Sequence, residues 1–206
     1  MAARGAVARV RPGLRAARCR RAPAPGGTAR GVGAPMTAFA GGRAVRLPER
    51  EYFELALAGV EAAQRRAWVC MFLCDPRPHR DLEGQVLELL LALAARSQAG
   101  VDVRVLTSAS ARTADLDAAN LAAGMFLQAY RVPHRRVFEH AGDARRGTHA
   151  KFFLCDEVAV AGSQNWTDDA FRLNVEDAVL LSGEPVALLA AEFQRLWADG
   201  RGMPRT

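Results

Sequence analysis

An α/β domain built on a mixed β-sheet flanked by helices is what this sequence predicts, and three observations predict it. Apolar runs of strand length alternate with amphipathic stretches of helical length from about residue 52 to 198. The run Ala67 to Cys74, AWVCMFLC, is apolar without alternation, as expected of a strand covered on both faces. A helix over 82–98, the break Ala99-Gly100 and the alternating VDVRVLT of 101–107 form the second half of a β-α-β unit. Later strands follow one another through short turns, so the sheet is expected to be mixed and not doubly wound.

The elements follow in order. Residues 1–47 are dominated by Arg, Gly, Ala and Pro, sustain no apolar run and contain nothing of the length a secretory signal needs, so we expect a disordered tail there and a folded domain over 48–200. Ser is absent from that stretch, which argues against a transit peptide; Met36 is an alternative start. Phe53, Ala56, Leu57, Val60 and Ala63 lie at helical spacing within 50–66. After the strand 67–74, the loop Asp75 to Arg80 stands at a strand's carboxyl end, where α/β sheets often place their sites, and Asp81 is placed to cap the helix over 82–98. A helix over 114–128, a short strand at 135–139 and a loop at 141–147 lead to strands at 149–155, 158–163 and 177–181, and a last helix over 184–198 offers Val186, Leu189, Phe193, Leu196 and Trp197 for packing.

The chemistry is concentrated in residues 149–176, HAKFFLCDEVAVAGSQNWTDDAFRLNVE. Alternation in a strand sends His149 and Lys151 to one face and Ala150 to the other, and the returning strand carries Ser163 and Asn165 towards the same end. A nucleophile or base, a cation and two neutral donors suit attack on a phosphorus atom whose oxygens need countercharge. Of the 28 basic residues only Lys151 is a lysine, a compact ammonium in an Arg-rich chain.

These residues resemble the signature of the phospholipase D-like phosphodiesterases: His-x-Lys, four residues, Asp, then Gly-Ser-x-Asn. Here it stands as His149, Lys151, Asp156, Gly162, Ser163 and Asn165, extended by Asn174 and Glu176. The family usually places six residues between the Asp and the Gly, whereas five, Glu157 to Ala161, stand here. The hairpin turn is the expected place of the shortening, because a change within a strand would flip its faces. The resemblance implies a phospholipase D-like fold and attack by His149 to give a phosphohistidine, with Lys151 and Asn165 on the phosphoryl oxygens and Ser163 or the 162–165 turn completing the cradle. It implies Glu176 as the carboxylate that orients the imidazole, a structural Asp156 that braces the turn or the lysine, and supporting roles for Gly162, Ser163 and Asn174. Capping or edge hydrogen bonds are the plainer expectation for Asn174 and Thr167, and core or rim packing for Trp166, whose alternative is stacking on substrate.

A single His-x-Lys implies a homodimer sharing one active site, because members of the family usually combine two sets. No cofactor and no metal are expected, since the cysteines and histidines lack metal-binding spacings. Buried free thiols suit a reducing compartment, and we expect a cytoplasmic protein without a transmembrane segment. We expect a metal-independent nuclease acting on DNA or RNA; the alternatives are a phospholipase D-like lipid hydrolase acting on phospholipid, and an inactive nucleic-acid or membrane binder. Charge does not decide between them: residues 1–50 carry a net +10 and residues 51–206 a net −4. His79 and Arg80 are candidates for the catalytic mouth, and Arg135, Arg136, Arg145 and Arg146 for contact with a polyanion, with a solvated loop the plainer expectation for the arginines.

Overall fold

Strand β2, Arg66–Met71, is the axis of the sheet, and its alternate residues divide the core in two. Val69 and Met71 join the cluster under three helices, whereas Trp68 and Cys70 join the cluster under one. Both faces being covered explains why this run lacks alternation. The computed structural model describes residues 41–110, 113–138 and 147–202.

The sheet has eight strands: β1 Gly42–Leu47, β2, β3 Asp102–Ala109, β4 His134–Phe138, β5 Phe152–Cys155, β6 Val158–Gly162, β7 Ala178–Gly183 and β8 Arg201–Gly202. Their spatial order is β1-β7-β6-β5-β2-β3-β4-β8. β2, β3 and β4 are parallel, joined by crossover helices α2, Gln85–Gln98, and α3, Ala114–Ala129; the remaining pairings are antiparallel. The mixed sheet is therefore the expected one.

Helix α1, Tyr52–Ala62, joins α2 and α3 over one face, and α5, Glu184–Asp199, covers the other. On α5 the wholly buried Phe193 stacks on Trp68 and on Trp197, with centroids 5.1 and 5.7 Å away. Pro185 in the first turn of α5 suits a position whose N–H has no helical partner. Asp81 caps α2 from outside it, its carboxylate accepting from Val86 N and Leu87 N at 3.1 and 2.8 Å.

Several boundaries differ from expectation. Within the tail expected over 1–47, Gly42–Leu47 instead forms the edge strand β1 on β7, and residues 1–40 lie outside the described residues. All its residues except Leu47 are exposed, so it carries little of the apolar pattern that marks a strand. The two-residue β8 and the five-residue helix α4, Asp168–Arg172, were too short to show a period. The expected strand at 149–155 begins only at Phe152. The expected strand at 67–74 ends at Met71, with Cys74 returning to bridge Trp166.

The place where β2 leaves the sheet is held by one side chain from α3. Asn120 is wholly buried; its Oδ1 accepts from Cys74 N at 2.8 Å, and its Nδ2 donates to Phe72 O at 2.9 Å and to Ser108 O at 2.8 Å. Asn120→Ala leaves three backbone groups without that partner, so the variant is expected to lose about 3 kcal/mol of stability. Chemical denaturation of the two proteins checks this; an unchanged midpoint would show that the carboxamide is dispensable.

Candidate active site

The chain reaches His149 through a close passage beside β3 and β4. Gly147 has φ +49°, and a Cβ there would lie 2.7 Å from Ser108 Oγ and 3.3 Å from Val137 O. Both the backbone conformation and the space therefore require glycine. Thr148 follows, buried, with its Oγ1 accepting from Ala150 N at 3.2 Å. This local turn replaces the expected strand over His149–Lys151. Ala150 nevertheless packs against the core under α5, as the alternation argument requires.

The heads of His149 and Lys151 meet. Lys151 Nζ stands 3.2 Å from Nδ1 and 3.5 Å from Nε2 of His149, and donates to the His149 carbonyl at 3.0 Å. The Phe72 ring supports both, its centroid 4.4 Å from the imidazole centroid and 4.9 Å from Lys151 Nζ. Burial, then the ammonium beside it, holds the imidazole below its ordinary pKa of 6.5. Burial also holds Lys151 below 10.5, an effect that Glu176 and Cys70 oppose. At neutral pH the imidazole is thus uncharged, with a lone pair available, beside a cation. Phe72 was read in the sequence only as part of an apolar run; its place as the last residues of that run leave the sheet is the one signal that could have singled it out.

Gly162 and Ser163 pass against β7. A Cβ on Gly162 would lie 2.4 Å from Asp177 O and 2.8 Å from Ala178 Cα, so no other residue fits without a shift. Ser163 N donates to Asp177 O at 2.9 Å, and Ser163 Oγ accepts from Asp177 N at 3.0 Å while donating to the Glu176 carboxylate. Asn174 Nδ2 donates to the other Glu176 oxygen at 3.2 Å. The expected hydrogen bond from imidazole to Glu176 is therefore not the arrangement found: both Glu176 oxygens are engaged by Ser163 and Asn174, and Glu176 acts on Lys151 through its charge. Ser163 likewise anchors Glu176 where a phosphate-facing role was one expectation.

Asn165 is held beside the end of β2 by its neighbour. Trp166 N donates to Leu73 O at 3.0 Å and Asp75 N donates to Trp166 O at 2.9 Å, while the indole is wholly buried. This is the packing reading for Trp166 and not the stacking one. Thr167 caps α4, its Oγ1 accepting from Ala170 N at 3.2 Å. Asn165 and Asn174 line one cavity of about 360 Å³ together with His79 and Arg80 from the loop after β2; His149 and Lys151 are not among its lining residues.

Asp156 lies at the far end of β5, roughly 16 Å along the chain from Lys151. Its carboxylate accepts from the backbone N–H groups of Gln64, Arg65 and Arg66 at 2.8, 2.9 and 2.9 Å. Burial opposes its charge, and these three bonds outweigh it, leaving the carboxyl below the usual range. It braces the turn, then, and not the lysine. Cys155 pairs with Val158 across the two-residue turn Asp156-Glu157, with Asp156 at φ +51°. The turn is as short as a hairpin allows, and β5 and β6 pair in unbroken register on either side of it.

Of the flanking arginines, Arg135 and Arg136 are engaged within the fold. Arg135 donates to Trp197 O at 2.6 Å, and Arg136 is buried on Asp117; Arg145 and Arg146 lie outside the described residues, as do His140 and Cys19. Among the described residues no group of three or more His, Cys, Asp or Glu is gathered to hold a metal ion.

A family model described as cardiolipin synthase, PLD-like domain, matches residues 57–197. Among curated proteins there is no match. Similar solved structures include the phospholipase D family member Nuc from Salmonella typhimurium, at 20% identity and TM-score 0.61, covering 80% of this chain and 99% of that one. NucT from Helicobacter pylori aligns at 14% identity and TM-score 0.60, covering 79% and 99% of the two chains. Polyphosphate kinase from Porphyromonas gingivalis aligns at 14% identity and TM-score 0.52, covering 81% of this chain and 27% of that one. At these identities the likeness is one of fold.

The depressed imidazole pKa yields a prediction that needs no substrate. Followed by NMR, His149 is expected to titrate below pH 6.5, and Lys151→Met, which removes the neighbouring positive charge, is expected to move the midpoint up. A midpoint indifferent to Lys151 would show that the two groups do not interact.

Proposed function

Since the chain belongs to the PLD-like family of the cardiolipin synthase domain type, a family of phosphodiesterases, we propose that it is a metal-independent nuclease working through a covalent phosphohistidine. The observation that carries this reading is the neutral imidazole of His149 held against the Lys151 ammonium. An uncharged ring nitrogen attacks phosphorus; the N–P bond forms as the bond to the leaving oxygen breaks. Lys151 and Asn165 hold the non-bridging oxygens, whose charge grows in the transition state. Glu176, fixed by Ser163 and Asn174, supplies the negative charge that offsets an imidazolium beside the ammonium. Water then attacks the phosphohistidine, releasing the phosphate product and the free imidazole.

One chain brings a single His-x-Lys, so the leaving oxygen needs a proton from elsewhere. We assign that proton to His149 of a second copy, placed by a two-fold axis beside the site, with the two rings sharing one proton: the neutral one attacks, and the charged one protonates the leaving oxygen and then takes a proton from the attacking water. Lysines from both copies supply the countercharge that a metal would otherwise give.

Nucleic acid is favoured because the small single-motif form resembles the dimeric nucleases of the superfamily. A lipid hydrolase is the second reading. It has one observation in its favour: Leu82, Leu173 and Val175 are 71%, 69% and 89% exposed on the loops that carry the cavity residues Arg80 and Asn174.

His149→Ala is expected to lower the cleavage rate at least about a thousandfold in excess chelator at unchanged circular dichroism, and Lys151→Arg is expected to lose most activity, because a planar fork cannot take the place of the ammonium. The assay offers single-stranded DNA, duplex DNA, RNA and anionic phospholipid vesicles. Release of a lipid head group alone transfers the assignment to the lipid hydrolase. Binding without His149-dependent turnover makes the protein a binder, and activity that needs Mg²⁺ or Mn²⁺ sinks the covalent route.

Sedimentation tests the shared site separately. The active species is expected to be a dimer, and mixed dimers of wild type and His149→Ala should keep little activity. Full activity in a monomer refutes the arrangement.

A further inference from the structure

Lys151 is held in place without an anion. Its ammonium donates to the His149 carbonyl at 3.0 Å and lies 3.2 Å from Nδ1 of the ring, and among the described residues no carboxylate forms an ion pair or a hydrogen bond with it. Glu176 reaches it through its charge alone, with both oxygens taken by Ser163 and Asn174. A flexible four-carbon stem and one carbonyl contact do little to keep such a head from turning out to solvent. What lies against it is the ring of Phe72, whose centroid is 4.9 Å from Nζ, within the distance at which the ring quadrupole attracts a cation. The same ring lies 4.4 Å, centroid to centroid, from the imidazole. Its backbone is fixed by Asn120, whose Nδ2 donates to Phe72 O at 2.9 Å.

We propose that Phe72 is a positioning residue for the reaction, its aromatic face keeping the Lys151 ammonium on the His149 imidazole while leaving the ammonium its full charge. A carboxylate in the same place would also hold the lysine, but it would neutralise the charge that the phosphoryl oxygens need and would draw a proton onto the imidazole. An aliphatic side chain would exclude water and keep the imidazole uncharged, yet it has no negative face to attract the cation. A π surface meets both demands, a neutral nucleophile and an unneutralised cation 3.2 Å apart. The requirement is therefore for the ring and not for apolar bulk. Cys70 on β2, the other titratable neighbour of Lys151, is a thiol that burial pushes up to about 12, so it stays uncharged at neutral pH. The inference rests on the nuclease reading, in which His149 attacks and Lys151 holds the phosphoryl oxygens.

The test uses the full chain with Phe72→Leu and Phe72→Met, which keep apolar bulk and lose the π face, and with Phe72→Tyr, which keeps the ring; circular dichroism confirms the fold of each. The first readout needs no substrate. Lys151→Met displaces the NMR titration midpoint of His149, and the size of that displacement reports how close the ammonium stays. It is expected to fall to about half or less in Phe72→Leu and Phe72→Met and to persist in Phe72→Tyr. The second readout is cleavage of single-stranded DNA and RNA in excess chelator, with His149→Ala as the background. There kcat is expected to fall about tenfold in both variants without the ring, the change that corresponds to about 1.4 kcal/mol, and to stay at the wild-type value in Phe72→Tyr. An undiminished displacement, an undiminished kcat without the ring, or a loss in Phe72→Tyr as large as in Phe72→Leu overturns the positioning role and leaves the nuclease reading standing. No His149-dependent cleavage of either polymer overturns the nuclease reading, and the displacement alone then decides whether the ring holds the ammonium.

Discussion

The carboxamide of Asn120 fixes the point at which β2 leaves the sheet, and the candidate site is built outward from that point. Its bonds to Phe72 O, Cys74 N and Ser108 O hold two strand ends in register where ladder bonding has stopped. Phe72, so placed, presents its ring to both His149 and Lys151. Cys74 then meets Trp166, and the bonds around that bridge set Asn165 beside the same strand end. Phe72 and Cys74, on which His149, Lys151 and Asn165 depend, thus rest on backbone that a buried amide has satisfied, and a loop without it would leave those groups exposed or unpaired.

Charge is divided between two kinds of cation in a manner that geometry explains. Arginine takes the paired, fork-like contacts: Arg77 holds both oxygens of Asp75 at 2.7 Å, and Arg195 holds both of Glu192 at 2.8 and 2.6 Å. Lys151 reaches one ring nitrogen of His149 at 3.2 Å and the His149 carbonyl at 3.0 Å from a single point, which rotatable ammonium donors allow and a planar guanidinium does not. The exceptional lysine in an Arg-rich chain is accordingly matched to its surroundings.

What could be read in the sequence was what depends on neighbours in the chain. The two-residue spacing of His149 and Lys151 places their heads together even though a turn at Thr148 replaces the expected strand. The unbroken apolar run of β2 announced two covered faces. The role of Asp156 was legible as bracing, but not its partners, since Gln64, Arg65 and Arg66 lie some ninety positions earlier. Asn120 was invisible: a polar residue inside a helix period signals solvent, and only the tertiary fold turns it inward. Glu176 shows the same limit, since its motif position names a role with the imidazole while its hydrogen bonds go to Ser163 and Asn174.

The position of β2 at the centre of the sheet has a consequence during synthesis. Its partner on one side, β3, emerges about 36 residues after it, but its partner on the other, β5, comes about 86 residues later, and α5, which covers Trp68 and Cys70, later still. Until then the growing chain carries an apolar strand with one open edge and one bare face, a surface that pairs readily with other chains. When β5 does arrive, it closes the edge, and Asp156 at its end reaches back to the residues that lead into β2. The segment that bears the chemistry is thereby also the one that ends this vulnerable interval, so a nascent chain cut short before it would lack both the site and the protection of its own sheet.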